Sequence, residues 1–189
     1  MESRREAMIA AAAELLDGGG PAAVTLRQVG KAAGVSHNAP YKHFADKQEL
    51  LAAVAARELD QLSKSISRGG MGVRSARGMA HGYVRRAVRY PERFKLVFGR
   101  WDREDPELRE AASRSYGLLL TVVAEAQAAG ELPAGDTERL ASLVRALAHG
   151  AADLALTGHL KASGKGAAGP DDLVDDIFDY LARAGRSSA

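Results

Sequence analysis

Residues 37–43 place His37, Asn38, Lys42 and His43 close together, and the wider stretch 25–47 adds Arg27, Lys31 and Lys47 against a single carboxylate, Asp46. These side chains suit recognition better than catalysis. An Asn amide pairs with an adenine edge, a Lys with guanine, and ammonium or guanidinium groups with phosphate oxygens. His37, Asn38, Lys42 and Arg27 are the residues best suited to reach base edges. Tyr41 offers a hydroxyl for a phosphate, with its ring expected to pack beneath its helix.

Two short helices joined by a Gly turn would present this set. Thr25 with Gln28 three residues later is a capping-box pattern that opens a helix. Leu26, Val29 and Ala33 recur at helical spacing on one apolar face. Gly34 most cheaply adopts the left-handed conformation of a tight turn. Val35 would plug the corner, and Ser36 would cap a second helix from His37 to about Phe44. That helix carries only Tyr41 and Phe44 as large apolar residues, too little for a core element. It fits a recognition helix lying in a DNA groove.

The segment 25–51 resembles the DNA-binding domain of TetR-type transcriptional regulators. The matching residues are Thr25-Leu26-Arg27, Val29, Ala33-Gly34-Val35-Ser36, Tyr41-Lys42-His43-Phe44, Lys47 and Leu50. Two positions depart from the family pattern: Gly30 stands where Ala is usual, and Pro40 lies inside the recognition helix. As the fourth helical residue after Ser36, Pro40 forfeits only one backbone bond in the first turn and is tolerable there. With the resemblance, the candidate DNA-contacting set is Thr25, Arg27, Gln28, Ser36, His37, Asn38, Ala39, Tyr41, Lys42, His43 and Lys47. Lys47 is expected on a phosphate, beside the N-terminal amides of its own helix.

With 189 residues and 46% hydrophobic content the chain can bury a core. It has no cysteine, so disulfide and thiolate chemistry are excluded. The charged start MESRREAM is not a secretory signal, and no apolar run reaches the roughly 20 residues of a membrane span. A cytoplasmic protein without membrane partners is expected. Abundant Ala and Leu with few β-branched runs favour an all-α fold. The net charge of +2 is unevenly spread. Residues 61–103 carry 11 basic and 2 acidic side chains, whereas residues 104–189 carry 8 basic and 14 acidic. The basic block reads either as a solvated helix face or as a brace for flanking phosphates.

Periodicity and breakers predict about nine helices. The first runs from near Ser3 to Asp17, ended by Gly18-Gly19-Gly20-Pro21; the second and third form the pair above. The fourth opens at Asp46, with Glu49 completing a second capping box, and ends near Ser67. A Gly-rich break over Ser67–Val73 divides a DNA-binding domain, 1–66, from a C-terminal domain, 67–189. The fifth helix covers about Arg74–Tyr90. Pro91 starts a sixth that Gly99 ends, and Pro106 a seventh reaching Ala129. Asp136 caps an eighth reaching about Ala162. A flexible loop over Ser163–Gly169 precedes a ninth that ends near Ala184, and the last residues are expected to fray.

Apolar stripes on the last two long helices include Leu143, Leu147, Ala151 and Leu154, then Val174, Ile177, Phe178 and Leu181. The family resemblance implies a four-helix homodimer interface there; by spacing alone the stripes equally suit an intrachain core. Residues 83–101 and 149–158 resemble one TetR subgroup through Tyr83, Tyr90-Pro91, Phe94, Leu96, Phe98, His149-Gly150, Leu154 and Gly158. Arg145 replaces the Trp of that subgroup's motif. Phe94, Phe98, Trp101, Tyr116 and His149 are candidate ligand contacts, and each also reads as plain core.

Catalytic motifs are absent. The stretch 158–165 misses the phosphate-loop spacing and has Gly166 after its Lys. The five His are scattered, so no metal or cofactor is expected. The expected function is a ligand-responsive regulator, a repressor that binds a palindromic operator as a homodimer and leaves it on binding a small apolar effector. The alternatives are a helical carrier or enzyme for an apolar molecule, and an architectural DNA-binding protein without an effector.

Overall fold

A computed structural model of the chain describes residues 3–68, 76–161, 163 and 168–186. Among these there are eight α-helices, one 3-10 turn and no strand. The helices are α1 (Arg4–Ala23), α2 (Leu26–Ala32), α3 (Lys47–Arg68), α4 (Ala76–Arg89), α5 (Pro91–Phe98), α6 (Pro106–Ala128), α7 (Thr137–Leu156) and α8 (Pro170–Arg186). The all-α expectation holds. The Gly-rich stretch 69–73, most of the loop expected at 163–169, and the last three residues lie outside the described residues.

The chain divides into two compact units, each assembled from two sequence segments. Unit 1 comprises Met1–Gln61 and Tyr90–Arg114; unit 2 comprises Leu62–Arg89 and Ser115–Ala189. The core of unit 1 gathers Met8, Ile9, Ala12 and Leu16 of α1, Val29 of α2, Phe44, and Leu50 and Val54 of α3. Leu96 and Trp101 pack against it from the returning segment. Arg93 on α5 fastens that return. Its guanidinium donates to both Asp17 oxygens (Nη2 to Oδ2 2.6 Å, Nε to Oδ1 2.9 Å) and to Glu58 Oε1 at 2.9 Å, while lying 4.5 Å from the Tyr90 ring centroid. Glu58 is the one buried charged residue among those described. Burial alone would lower the Arg93 pKa, but the Asp17 and Glu58 carboxylates more than offset it and hold the pKa raised.

In unit 2, α4 packs on α7 and α8, and α7 packs on α8. Val84, Val122, Val123, Val144, Val174 and Phe178 are buried. The turn from α6 to α7 is closed by Gln127, whose amide donates to Pro133 O at 2.8 Å and accepts from Thr137 Oγ1 at 2.7 Å.

Helix boundaries differ from expectation where glycine geometry intervenes. α1 breaks at Gly19 and Gly20 (φ 65), as the Gly run predicts, then resumes for one turn through Ala23. α7 ends at Leu156, not near Ala162. Gly158 takes φ 76, Gly158 N donates to Ala155 O, and His159 N donates back to Leu154 O at 2.9 Å. That paired closure satisfies the terminal carbonyls and stops the helix.

Candidate nucleic-acid interface

Residues 25–47 lie within unit 1, where Val29 and Phe44 join the core shared with α1 and α3. Thr25 Oγ1 accepts from Gln28 N at 3.2 Å and donates to Gln28 Oε1 at 2.7 Å. The side chains of this cap therefore bond to each other, and Gln28 does not reach back to the backbone. α2 closes with Gly34 at φ 65, Gly34 N donating to Lys31 O at 3.2 Å and Val35 N to Gly30 O at 3.0 Å. This is the same terminal closure as at α7, here turning the chain toward the recognition segment.

The expected recognition helix from His37 to Phe44 is not an α-helix. It is a 3-10 turn, Pro40–Lys42, preceded by a turn at His37 and Asn38. Ala39 N donates to Ser36 O, Lys42 N to Ala39 O, and His43 N to Pro40 O, all at 2.9–3.1 Å. Pro40 has no N–H to return to Ser36 O, so the first helical bond cannot form and the tighter pattern takes its place. Ser36 contributes its carbonyl, and no side chain caps the turn. The Tyr41 ring does not pack beneath the turn either. Tyr41 is 54% exposed, because Pro40 and Phe44 take the inward positions.

Most of the candidates are exposed. Thr25, Arg27, Gln28, Ser36, His37, Asn38, Tyr41, Lys42 and His43 are exposed; Ala39 and Lys47 are half-buried. His37 Nδ1 lies 3.0 Å from Asn38 Oδ1, and the His37 and Tyr41 rings are tilted at 6.1 Å. Among the described residues, Arg27, Lys31 and Lys42 form no ion pair with a carboxylate. Lys47 is different, because its Nζ donates to Pro21 O at 2.5 Å, which ties α3 to the end of α1. At the start of α3, Glu49 N donates to Asp46 Oδ1 at 2.9 Å, and Ala45 N to Glu49 Oε2 at 2.7 Å. The Glu49 amide and the Arg103 guanidinium (3.1 Å) hold the Asp46 carboxyl below its ordinary value. The one acid in the segment is thereby occupied.

The candidate ligand residues fall into both units. Phe94, Phe98 and Trp101 belong to unit 1, where Phe94 and Phe98 pair at 5.1 Å. Tyr116 and His149 belong to unit 2. There Tyr83 OH meets His149 Nδ1 at 2.8 Å, and Arg145 lies 5.3 Å from the Tyr116 ring centroid. Burial pushes the Tyr83 phenol well above its ordinary value, with Arg145 pulling weakly the other way. Of the candidate interface residues, Ala151, Val174 and Phe178 are buried inside unit 2, Leu147, Ile177 and Leu181 are half-buried, and Leu143 and Leu154 are exposed.

Several cations of the basic block meet carboxylates of this chain, while Arg85, Lys95 and Arg103 stay exposed, as on a solvated helix face. Arg77 pairs with Asp175 and Asp179, and His81 sits between Asp171 (2.7 Å) and Asp175 (2.9 Å). Arg93 pairs with Asp17 and Glu58, Lys95 with Glu92, and Arg103 with Asp46. Sequence reasoning missed these pairs. The one available signal was the acidic balance of residues 104–189.

A helix, a glycine-closed turn and an exposed, acid-poor reading turn define a helix-turn-helix protein, here joined to a second helical unit. Residues 8–54 match the family described as bacterial regulatory proteins, tetR family, and residues 76–184 match the tetracyclin repressor-like C-terminal domain. The chain belongs to the TetR family of transcriptional regulators. Its fold is similar to a protein of unknown function from Rhodococcus sp. RHA1 (32% identity, TM-score 0.79, covering 97% of this chain and 96% of that one). It also resembles TetR-family regulators from Marinobacter aquaeolei VT8 (22% identity, TM-score 0.64, 94% and 95% covered) and Thermobifida fusca YX-ER1 (22%, 0.64, 95% and 96%). No curated protein matches. None of the helices described is long and apolar enough to cross a membrane, and no group of three or more His, Asp or Glu among the described residues could hold a metal ion.

Proposed function

We propose that this protein is a ligand-responsive repressor that binds a palindromic operator as a homodimer through residues 25–47 and is released by a small apolar effector. The observation that carries the DNA part is the cation set itself. Arg27, Lys31 and Lys42 stand exposed, as do His37, Asn38 and Tyr41, and among the described residues no carboxylate pairs with the three cations. Such cations release counterions from DNA at little internal cost.

Dimerisation is supported by an apolar line on α7. Leu143, Leu147, Gly150 and Leu154 follow the i, i+4, i+7, i+11 rule of one helix face. Leu143 and Leu154 are 46% and 42% exposed, and Tyr180 on α8 is 69% exposed. A Cβ at Gly150 would meet nothing within 4 Å, so this face leaves room for a second helix. A second copy of the chain is the occupant, because a palindrome needs two reading turns related by a twofold axis. Residues 1–66 then serve DNA, and residues 67–189 serve assembly and the effector. His149, Tyr83 and Tyr116 provide polar anchors for that effector.

Selection of duplexes from a randomised DNA pool tests this reading. The expected product is an inverted repeat bound by a dimer, and retention of only unrelated sequences overturns the operator. Leu154→Glu, placed on an exposed residue, should give a folded monomer in sedimentation that no longer binds the selected duplex tightly. A Leu154→Glu dimer with normal binding would move the interface elsewhere.

A further inference from the structure

Gly30 and Pro40, the two departures from the family pattern, face each other across a space too small for a further side-chain carbon. Gly30 is buried within α2, and Pro40 is buried at the start of the reading turn. A Cβ on Gly30 would stand 3.1 Å from Pro40 Cγ, 3.5 Å from its Cδ and 3.8 Å from Ser36 O. Carbon atoms prefer about 3.5–4.0 Å, so a methyl at residue 30 and the ring at residue 40 compete for one space. The backbone does not call for glycine here, because Gly30 is not among the glycines with positive φ. In a helix interior, alanine is ordinarily the more stable choice. The Pro40 ring is what makes glycine the fitting residue.

An added methyl could be relieved in one soft direction. On one side stands α2, anchored by fully buried Val29 and by the closure at Gly34. On the other stands a single 3-10 turn whose outward residues, Tyr41, Lys42 and His43, are exposed. The turn yields first, and it carries the DNA-facing side chains with it.

We propose that Gly30 and Pro40 are a mutually dependent positioning pair that seats the reading turn on α2 and thereby sets which operator sequence this protein prefers. Neither residue touches DNA in this account; each acts through the placement of Asn38, Tyr41 and Lys42. The inference rests on the DNA-binding reading above.

The test uses the duplex that the full-length parent protein selects from a randomised pool, and four proteins: parent, Gly30→Ala, Pro40→Ala and the double variant. Gly30→Ala alone should lower affinity for that duplex on the order of tenfold, the scale of an overpacked contact. Its urea midpoint should stay near the parent's, and a repeat selection should return altered base preferences. In the Pro40→Ala background the same Gly30→Ala change should cost no affinity, because the ring it collided with is gone. Equal losses in both backgrounds would overturn the pairing. So would a Gly30→Ala protein that loses stability in step with binding or fails to fold, since either shows a packing defect without repositioning. If the parent selects no sequence at all, the DNA reading fails and this inference falls with it. If the parent selects a sequence and the two backgrounds respond alike, only the pairing fails.

Discussion

Residues 25–47 and residues 76–103 are both rich in cations, yet they use them in opposite ways. In the first segment Arg27, Lys31 and Lys42 are exposed with no carboxylate partner among the described residues, and the one acid of the segment, Asp46, is taken by Glu49 N and Arg103. In the second, Arg77, His81, Arg93, Lys95 and Arg103 are bound to carboxylates of this chain. Charge count would rank the second segment as the better DNA-binding surface. Pairing reverses the ranking, because a cation already neutralised offers a phosphate little and must lose its partner to bind one. The lesson is to count charges after internal pairing.

The largest test of this contrast is Arg93→Ala. It leaves Glu58, 4% exposed, without its guanidinium, and Asp17 without the bidentate partner that holds α5 to unit 1. Removing one side of a buried pair costs about 3–5 kcal/mol, so urea unfolding should show a loss on that scale. A loss below roughly 0.5 kcal/mol, the range of ordinary surface substitutions, would return Arg93 to the solvated-face reading.

Next in size is Lys42→Ala, which should do the reverse. Stability should stay within about 0.5 kcal/mol, while operator affinity falls and the slope of log affinity against log salt shrinks by about 1. Lys47→Ala makes the internal comparison. Because its Nζ is engaged with Pro21 O, it should change the salt slope less than Lys42→Ala does. A larger change at Lys47 would show that the bond to Pro21 yields to phosphate.

Arg77→Ala should have a smaller effect, on the order of 0.2–1 kcal/mol in stability, because Arg77 and its partners Asp175 and Asp179 are all more than a third exposed and screened by solvent. Thermal unfolding with and without added salt would read this, and the difference between parent and variant should narrow at high salt.

The smallest effect is acid sensitivity. The hydrogen bond from His81, with the charges of His81 and Arg77, holds the Asp175 carboxyl below its ordinary 3.8, and the amide of Glu49 does the same for Asp46. A lowered carboxyl stabilises the fold fully above its ordinary value and loses that contribution as pH falls through the depressed one. Unfolding midpoints should therefore drop below about pH 4, and Asp175→Asn should flatten part of that drop. An unchanged acid profile in Asp175→Asn would detach the His81 contact from stability.

Local chemistry was legible in the sequence wherever a residue acts on its own neighbours. Thr25, Gly34, Asp46, Pro91, Pro106 and Asp136 each mark a helix boundary because caps and turns are satisfied within a few residues. The exposure of residues 36–38 and 41–43 was legible for the same reason, since a short segment with few apolar residues has little to bury. Pro40 shows the limit of that reasoning. Its missing N–H was visible in the sequence, but not that only Pro40–Lys42 would be helical, as a 3-10 turn, with Pro40 and Phe44 buried.

The sequence by itself determined the helical class and the glycine-closed turn, which depend on contacts a few residues apart. Tertiary structure alone decided what depends on distant partners. It returned α5 to the first unit through Arg93, with partners 76 and 35 residues away. It also paired Arg77 with acids of α8 about a hundred residues downstream, Asp175 and Asp179 lying 98 and 102 residues away. And it set Gly30 opposite Pro40, so that a Cβ at residue 30 would stand 3.1 Å from the proline ring. Helical periodicity fixes which face a side chain occupies, but only packing fixes what stands opposite it.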